Sequence, residues 1–201
     1  MEDFALSFVD NEVESDARSR PTSRYADEIM RELAPLSEPK KTHLEVGSAG
    51  YGADAITVIA ILAGLFLRSK DINDALDAWP ELGHKLKRAV EALRAKHGRV
   101  SMSEPAALLW AVELLKERDV ATDQLQVLSA VTIPVVNRSL NQKYLRDFRF
   151  QPDRFYVLTF RDGAGDAWVV TLRSTGELES IQRLPAGNWQ EYDLGEAFRR
   201  T

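Results

Sequence analysis

The sequence predicts an α+β protein, and three features of the chain support this prediction. Residues 53–67 are apolar on every side of a helix, which predicts a buried helix within an N-terminal, mainly helical module of residues 1–98. Residues 99–201 begin with a helical pattern and continue with alternating apolar segments, which predict a helix packed on an antiparallel β-meander. A chain of 201 residues suits one large domain or two small ones, and we expect two modules.

Composition narrows the class of protein. Hydrophobic residues make up 44% of the chain and charged residues 28%, which is typical of a globular protein with a sizeable core. The formal net charge of -5 argues against a protein that coats nucleic acid, because such domains are usually basic. The chain has no cysteine, which excludes disulfides, thiolate catalysis and sulfur-ligated zinc. The N-terminus lacks the basic and apolar regions of a signal peptide, so we expect a cytoplasmic protein.

The first fifty residues predict a strand, a helix and a second strand. Residues 4–9 alternate loosely and indicate a short strand, whereas residues 12–20 are polar and indicate a loop. Residues 21–23 supply a helix start, after which apolar residues follow at helical spacing until Pro35 ends the pattern. Residues 42–46 then predict a strand.

The apolar stretch after the glycine cluster of residues 47–52 decides the interpretation of the first module. As a helix, residues 53–67 would extend roughly 22 Å, at about 1.5 Å per residue. A bilayer core is roughly 30 Å thick, so a buried helix is favoured. The alternative is a membrane-associated effector that uses residues 46–67, a span that reaches the required length but contains three glycines and Asp54.

An amphipathic helix is predicted next. Apolar residues recur at three- and four-residue steps through residues 72–93, and the pattern ends at Gly98. At Pro80 we expect either a kink or the junction of two abutting helices. The second half of this helix carries many cations, for which we expect a solvated face near the helix C-terminus. These cations are Lys85, Lys87, Arg88, Arg94, Lys96 and Arg99.

The second module predicts one helix and a meander. Ser101 or Ser103 is expected to cap a helix that runs to about residue 117. The segments that follow are rich in β-branched and aromatic residues, and turn residues separate the later ones. Strands are predicted within residues 125–136, 155–160, 167–172 and 178–184, and a short helix within residues 194–200.

Residues 100–185 resemble a PepSY-type module and, more loosely, a cystatin-like sheet. The resemblance is carried by a helix, a strand and the hairpin of residues 156–160 and 166–172, followed by Thr175-Gly176-Glu177. The chain departs from the family pattern by a long loop at residues 137–154. PepSY modules are non-enzymatic and are often associated with restraining peptidases, so the resemblance implies binding or regulation.

No motif along the chain predicts catalysis, a metal or a cofactor. His43, His84 and His97 lack a carboxylate or serine at a meaningful spacing, so we expect surface histidines. Residues 47–52 have the order GxxGxG, which is not the dinucleotide-binding pattern. Residues 71–82 lack the glycine and glutamate of a calcium loop. A hydrolase whose catalytic residues are dispersed along the chain remains an alternative.

The composition of the loop at residues 141–154 predicts a contact with another protein. Aromatic and basic residues alternate in it, a composition found at interface hot spots and on single-strand stacking platforms. The competing interpretation is that the aromatic side chains dock the loop onto the sheet. We favour a partner protein, with this chain as an accessory or immunity-type inhibitor. The candidate partner-binding residues are Lys143, Tyr144, Arg146, Phe148, Arg149, Phe150 and Arg154.

Overall fold

A computed structural model of the protein has an α+β fold, as predicted. Three α-helices and ten β-strands lie in the part of the chain that the structure describes. The strands form two four-stranded sheets and one two-stranded ribbon. The described residues are 4–9, 15–17, 20–21, 23–34, 42–48, 56–62, 79–122, 124–135 and 154–187.

The first sheet has the strand order β4-β5-β1-β6, and every pair in it is antiparallel. It contains both strands predicted in the first fifty residues. The polar stretch predicted as a loop instead contributes the ribbon β2–β3. The bounds are β1 Ala5–Val9, β2 Ser15–Ala17, β3 Arg20–Pro21, β4 Thr42–Ser48, β5 Ile56–Leu62 and β6 Val100–Met102.

The predicted buried helix at residues 53–67 is wrong, because Ile56–Leu62 forms strand β5. Five of its seven residues are β-branched, and such side chains favour strands over helices. A continuous apolar run of this length is consistent with a strand as well as with a buried helix, so periodicity alone does not separate the two structures. Strand β5 lies between β4 and β1, and the part of the chain before residue 98 therefore supplies strands as well as helices.

The second sheet is the predicted meander, with the order β10-β9-β8-β7. Its strands are β7 Gln126–Pro134, β8 Arg154–Arg161, β9 Ala167–Arg173 and β10 Leu178–Leu184. All three pairs are antiparallel. One face of β8 presents Tyr156, Leu158 and Phe160 to the core, and each of these side chains is fully buried.

Helices α1 and α2 flank this architecture. Helix α1, Ser23–Leu33, buries Ile29 and Leu33 at a four-residue spacing. Helix α2, Trp79–His97, begins with Pro80 in its first turn, where proline leaves no helical hydrogen bond unmade. The kink expected at Pro80 stays a prediction, because residues 72–78 of the predicted helix lie outside the described residues. Gly98 ends α2 with a φ of 76°, as predicted from its position.

Helix α3, Glu104–Lys116, is the central helix of the molecule. It contacts β1 and β6 of the first sheet, β7, β8 and β9 of the second, and helix α2. A helix surrounded in this way is apolar on nearly every side. Its buried residues are Ala106, Ala107, Leu108, Leu109, Trp110, Ala111, Val112, Glu113 and Leu115.

Hydrogen bonds to Met102 and Ser103 connect the end of β6 to β1 of the first sheet and to β8 of the second. Ser103 precedes α3, and its Oγ accepts a hydrogen bond from the Ala5 N–H at 2.9 Å instead of capping the helix. The Tyr156 hydroxyl donates to the Met102 carbonyl oxygen at 2.8 Å. One cluster of buried side chains runs from Phe4 to Leu172. The division at residue 98 stays a prediction, since a shared core does not show whether either part folds alone.

Candidate functional site

Six of the seven candidate binding residues belong to an insertion between two strands that are neighbours in the sheet, and the seventh, Arg154, directly follows it. Pro134 at the end of β7 and Arg154 at the start of β8 are direct Cα partners in the antiparallel ladder. Hairpin connections usually have about 2–5 residues, whereas this one takes up residues 135–153, called the β7–β8 insertion below. Of the seven candidates, Arg154 lies in the described residues. Lys143, Tyr144, Arg146, Phe148, Arg149 and Phe150 lie outside them.

The base of the β7–β8 insertion is tied to the rest of the meander. The main-chain N–H of Arg154 donates to Ser174 Oγ at 3.3 Å, and the Ser174 N–H donates to the Arg154 carbonyl oxygen at 2.7 Å. The Ser174 carbonyl oxygen accepts a hydrogen bond from the Met102 N–H at 2.7 Å. Ser174 is 1% exposed, so these bonds are shielded from water. The segment that carries the candidate residues therefore ends on a fixed point of the core.

Residues 174–176, called the docked turn below, are held by side chains from helices α2 and α3. The Trp110 indole N–H donates to the Gly176 carbonyl oxygen at 3.0 Å. The Arg94 guanidinium donates to the Thr175 carbonyl oxygen and lies 5.3 Å from the centre of the Trp110 ring. Burial lowers the pKa of Arg94, since a low-polarity environment disfavours the charged form.

Arg94 corrects the prediction of a solvated cationic face on α2. Its side chain is half-buried at the docked turn, whereas Arg88 and Arg99 are exposed as predicted. Lys87 pairs with Glu117, and Lys96 pairs with Glu28 at 2.5 Å, which connects α2 to its helical neighbours. Each of these contacts spans a long sequence separation. No periodicity within α2 distinguishes Arg94 from the cations around it.

The histidines do not share one environment. His43 and His84 are exposed, as predicted. His97 is half-buried and stacks on Phe8, with ring centroids 4.4 Å apart and an interplanar angle of 28°. The prediction of a surface histidine is therefore wrong for His97, because the C-terminal turn of α2 packs against β1.

A buried carboxylate lies where α2 meets α3. Glu113 is 8% exposed, and its Oε1 lies 3.8 Å from His84 Nδ1. Gly83 allows the two helices to approach, since a Cβ there would lie 3.2 Å from the Leu109 carbonyl oxygen. Among the described residues, no group of three or more acidic or histidine side chains is placed to hold a metal ion. The expected absence of a cofactor stays a prediction.

Strand β7 carries the exposed apolar surface of the described residues. The large hydrophobic side chains with high exposure there are Leu128 at 40%, Ile133 at 40% and Val135 at 45%. The first two belong to β7, and Val135 follows its last residue. Residues 125–136 include no charged side chain. This combination is unusual for an outer strand, which natural proteins often protect with charges.

Comparison with known proteins adds no family or relative. No protein-family model, curated protein or solved structure matches the chain. The resemblance of residues 100–185 to PepSY-type and cystatin-like modules stays a prediction. Within the described ranges, no helix combines the length and the apolar character needed to cross a bilayer.

Proposed function

We propose that this protein is a non-enzymatic, cytoplasmic regulator that binds another protein through the β7–β8 insertion. The pairing of Pro134 with Arg154 carries the proposal. Because these two residues already lie side by side, closing the hairpin does not require residues 135–153. A long segment that the sheet does not need for its own connectivity is a common location for binding residues, since rigid strands position it.

The composition of the insertion supports a protein as the partner. Three aromatic side chains, Tyr144, Phe148 and Phe150, supply the large apolar area found at interface hot spots. The cations of residues 141–154 outnumber its acidic residues, Asp147 and Asp153, although the whole chain has a net charge of -5. The insertion therefore favours an acidic partner surface with apolar pockets. An accessory or immunity-type inhibitor would use such a contact to restrain its target.

Substitution inside the insertion tests this proposal. The triple variant Arg146→Ala, Phe148→Ala, Arg149→Ala removes two cations and one aromatic ring while it leaves every described strand residue intact. We expect the protein that co-purifies with the wild type at natural expression levels to be lost. Loss of one or two hot-spot side chains usually weakens binding by at least about tenfold. Quantitative mass spectrometry of the captured proteins measures this loss.

The matched control removes the same charge elsewhere. Arg88 and Arg118 are exposed on α2 and after α3, and the double variant Arg88→Ala, Arg118→Ala is expected to capture the partner as the wild type does. Both variants should keep the thermal unfolding midpoint of the wild type. Equal capture by the triple variant and the wild type would remove the insertion from the binding surface.

A further inference from the structure

A second interaction surface lies on the outer edge of the meander. Within the described residues, β7 has a strand neighbour on one side only, which is β8. The main-chain N–H and C=O groups of an outer strand alternate along its edge, and another strand is the structure that pairs with them in register. An extended strand is therefore the structure that this edge can accept.

The charged residues on an edge strand decide whether a second copy of the same strand can pair with it. A strand that meets its own copy brings identical side chains close together, and like charges across a strand pair are destabilising. The opposite edge strand β10 contains Glu179 and Arg183, and β4 of the first sheet contains His43 and Glu45. Strand β7 has no charged residue along its nine residues. Two paired copies of β7 therefore place no like-charged side chains of this strand opposite each other, and the carboxylate beside the segment, Glu104 of α3, already accepts a hydrogen bond from the Thr132 hydroxyl.

We propose that two copies of this chain form a dimer in which their β7 strands pair antiparallel about a two-fold axis. This pairing joins the two meanders into one continuous sheet and makes the interface isologous. The proposal is independent of the β7–β8 insertion as a binding site, since it uses strand residues. In this dimer β7 contributes to assembly, a role that it does not have within one copy.

Two irregularities define which residues pair. The β7–β8 register shifts between Val127 and Ser129, and Pro134 has no N–H to donate. Both features oppose strand addition, so the pairing segment lies between them, at residues 129–133. On this segment Val131 and Ile133 are opposite Val157 and Phe155 of β8, and directly paired residues share one face of a sheet. Dimer formation extends that half-exposed apolar face across the two-fold axis.

Sedimentation velocity over about 1–200 µM, a range that covers typical micromolar association, tests the dimer. We expect a concentration-dependent dimer for the wild type. Val131→Lys places a cation in the pairing segment of each copy, and we expect the dissociation constant to rise at least about tenfold because like charges then face each other. Ser180→Lys is the matched control on β10, where the same charge should leave the dissociation constant unchanged.

Site-specific cross-linking provides the second measurement, because the chain contains no natural cysteine. A single Val131→Cys variant should form a covalent dimer with a short bis-maleimide, whereas Ser180→Cys should stay monomeric. If circular dichroism shows that Val131→Lys unfolds, the double variant Ser129→Lys, Ile133→Lys replaces it as the charge test, because residues 129 and 133 of the two copies face each other in this pairing. A wild type that is monomeric throughout the range, a dimer that tolerates the lysine on β7, or equal cross-linking at both cysteines would each overturn the proposal.

Discussion

The β8–β9 turn and the β9–β10 turn of the meander are each held by one tryptophan and one arginine. In the first turn these residues are close to the turn in sequence, whereas in the second they are remote from it. The β8–β9 turn, residues 162–166, is called the local turn here. The Trp168 indole N–H donates to Asp162 Oδ2 at 2.8 Å, and the Arg183 guanidinium lies 5.7 Å from the centre of that ring. Both side chains belong to strands of the same meander.

The docked turn, residues 174–176, obtains its tryptophan and arginine from the helices. Trp110 comes from α3 and Arg94 from α2, and both are far from the turn in sequence. The local turn therefore depends on neighbouring strands, whereas the docked turn depends on the tertiary structure. Because Ser174 also binds Arg154 at the base of the β7–β8 insertion, the docked turn connects the central helices to the candidate binding segment.

Removal of the tryptophan side chains should give the largest difference between the turns. Trp110 is 6% exposed, and we expect Trp110→Ala to lower the free energy of unfolding by about 3–5 kcal/mol, the usual cost of deleting a buried large aromatic ring. Trp168 is half-exposed, so Trp168→Ala should cost clearly less. Urea unfolding of both variants measures the difference. Equal losses would mean that the docked turn is not a tertiary anchor.

A smaller effect is expected from one glycine in each turn, since both of these glycines have a positive φ. Gly165 in the local turn has a φ of 88°, and Gly176 in the docked turn has a φ of 76°. Alanine at either position should cost about 1–2 kcal/mol for the left-handed backbone alone. At Gly176 the added Cβ would also lie 2.7 Å from Met102 Cε and 3.1 Å from Trp110 Cε2, and both of these side chains are buried.

The difference between the two glycine variants isolates the effect of docking. In the Gly165→Ala variant the atom nearest to the added Cβ would be Ala186 Cβ at 3.5 Å, which is an ordinary van der Waals contact. We therefore expect Gly176→Ala to be less stable than Gly165→Ala by at least about 1 kcal/mol, a typical cost of overpacking. Thermal unfolding followed by circular dichroism provides the measurement. A Gly165→Ala variant as unstable as Gly176→Ala would contradict the contrast between the turns.

The predictability of the fold follows the same division between local and remote contacts. Sequence patterns of a few residues predicted the meander, the positions of both its turns and the end of α2 at Gly98, because the determining residues are adjacent. The contacts of Trp110 and Arg94 with the docked turn were not predicted, because these residues are remote in sequence. The rule that a helix apolar on every side lies in the core was sound, but it describes α3 and not residues 53–67. In that stretch the β-branched residues of β5 were the stronger signal.

The site was predictable to a smaller extent. The composition of residues 141–154 pointed to an interface, and the length of the β7–β8 insertion follows from the register of Pro134 and Arg154. The contact of Arg94 with the docked turn did not follow from any pattern, because in the sequence Arg94 resembles the other cations of α2. The uncharged edge of β7 was visible in the sequence, but its position as an outer strand required the strand order.

Acid should affect the local turn more than the docked turn, and this is the smallest effect we expect. Asp166 Oδ1 accepts the Ala186 N–H at 2.8 Å, and Oδ2 accepts the Arg183 Nε–H at 2.7 Å. These two interactions lower the pKa of Asp166, the backbone bond having the larger effect. A carboxyl with a lowered pKa in the folded state stabilises the protein above its unfolded pKa of about 4, and this contribution is lost as the pH falls through the folded value.

Asp166→Asn removes the charge that Arg183 pairs with and keeps an oxygen for the Ala186 N–H. The unfolding midpoint of this variant should therefore lie below that of the wild type by a constant amount above about pH 5, and the gap should close below about pH 4. Glu28 also has a lowered pKa, owing to Lys96, so both proteins will lose stability in acid and their difference reports Asp166. Trp110→Phe alters the docked turn without changing any carboxylate, and its gap from the wild type should not vary with pH. If that gap also closed in acid, the pH dependence would not belong to the local turn, and the two turns would be coupled through β9.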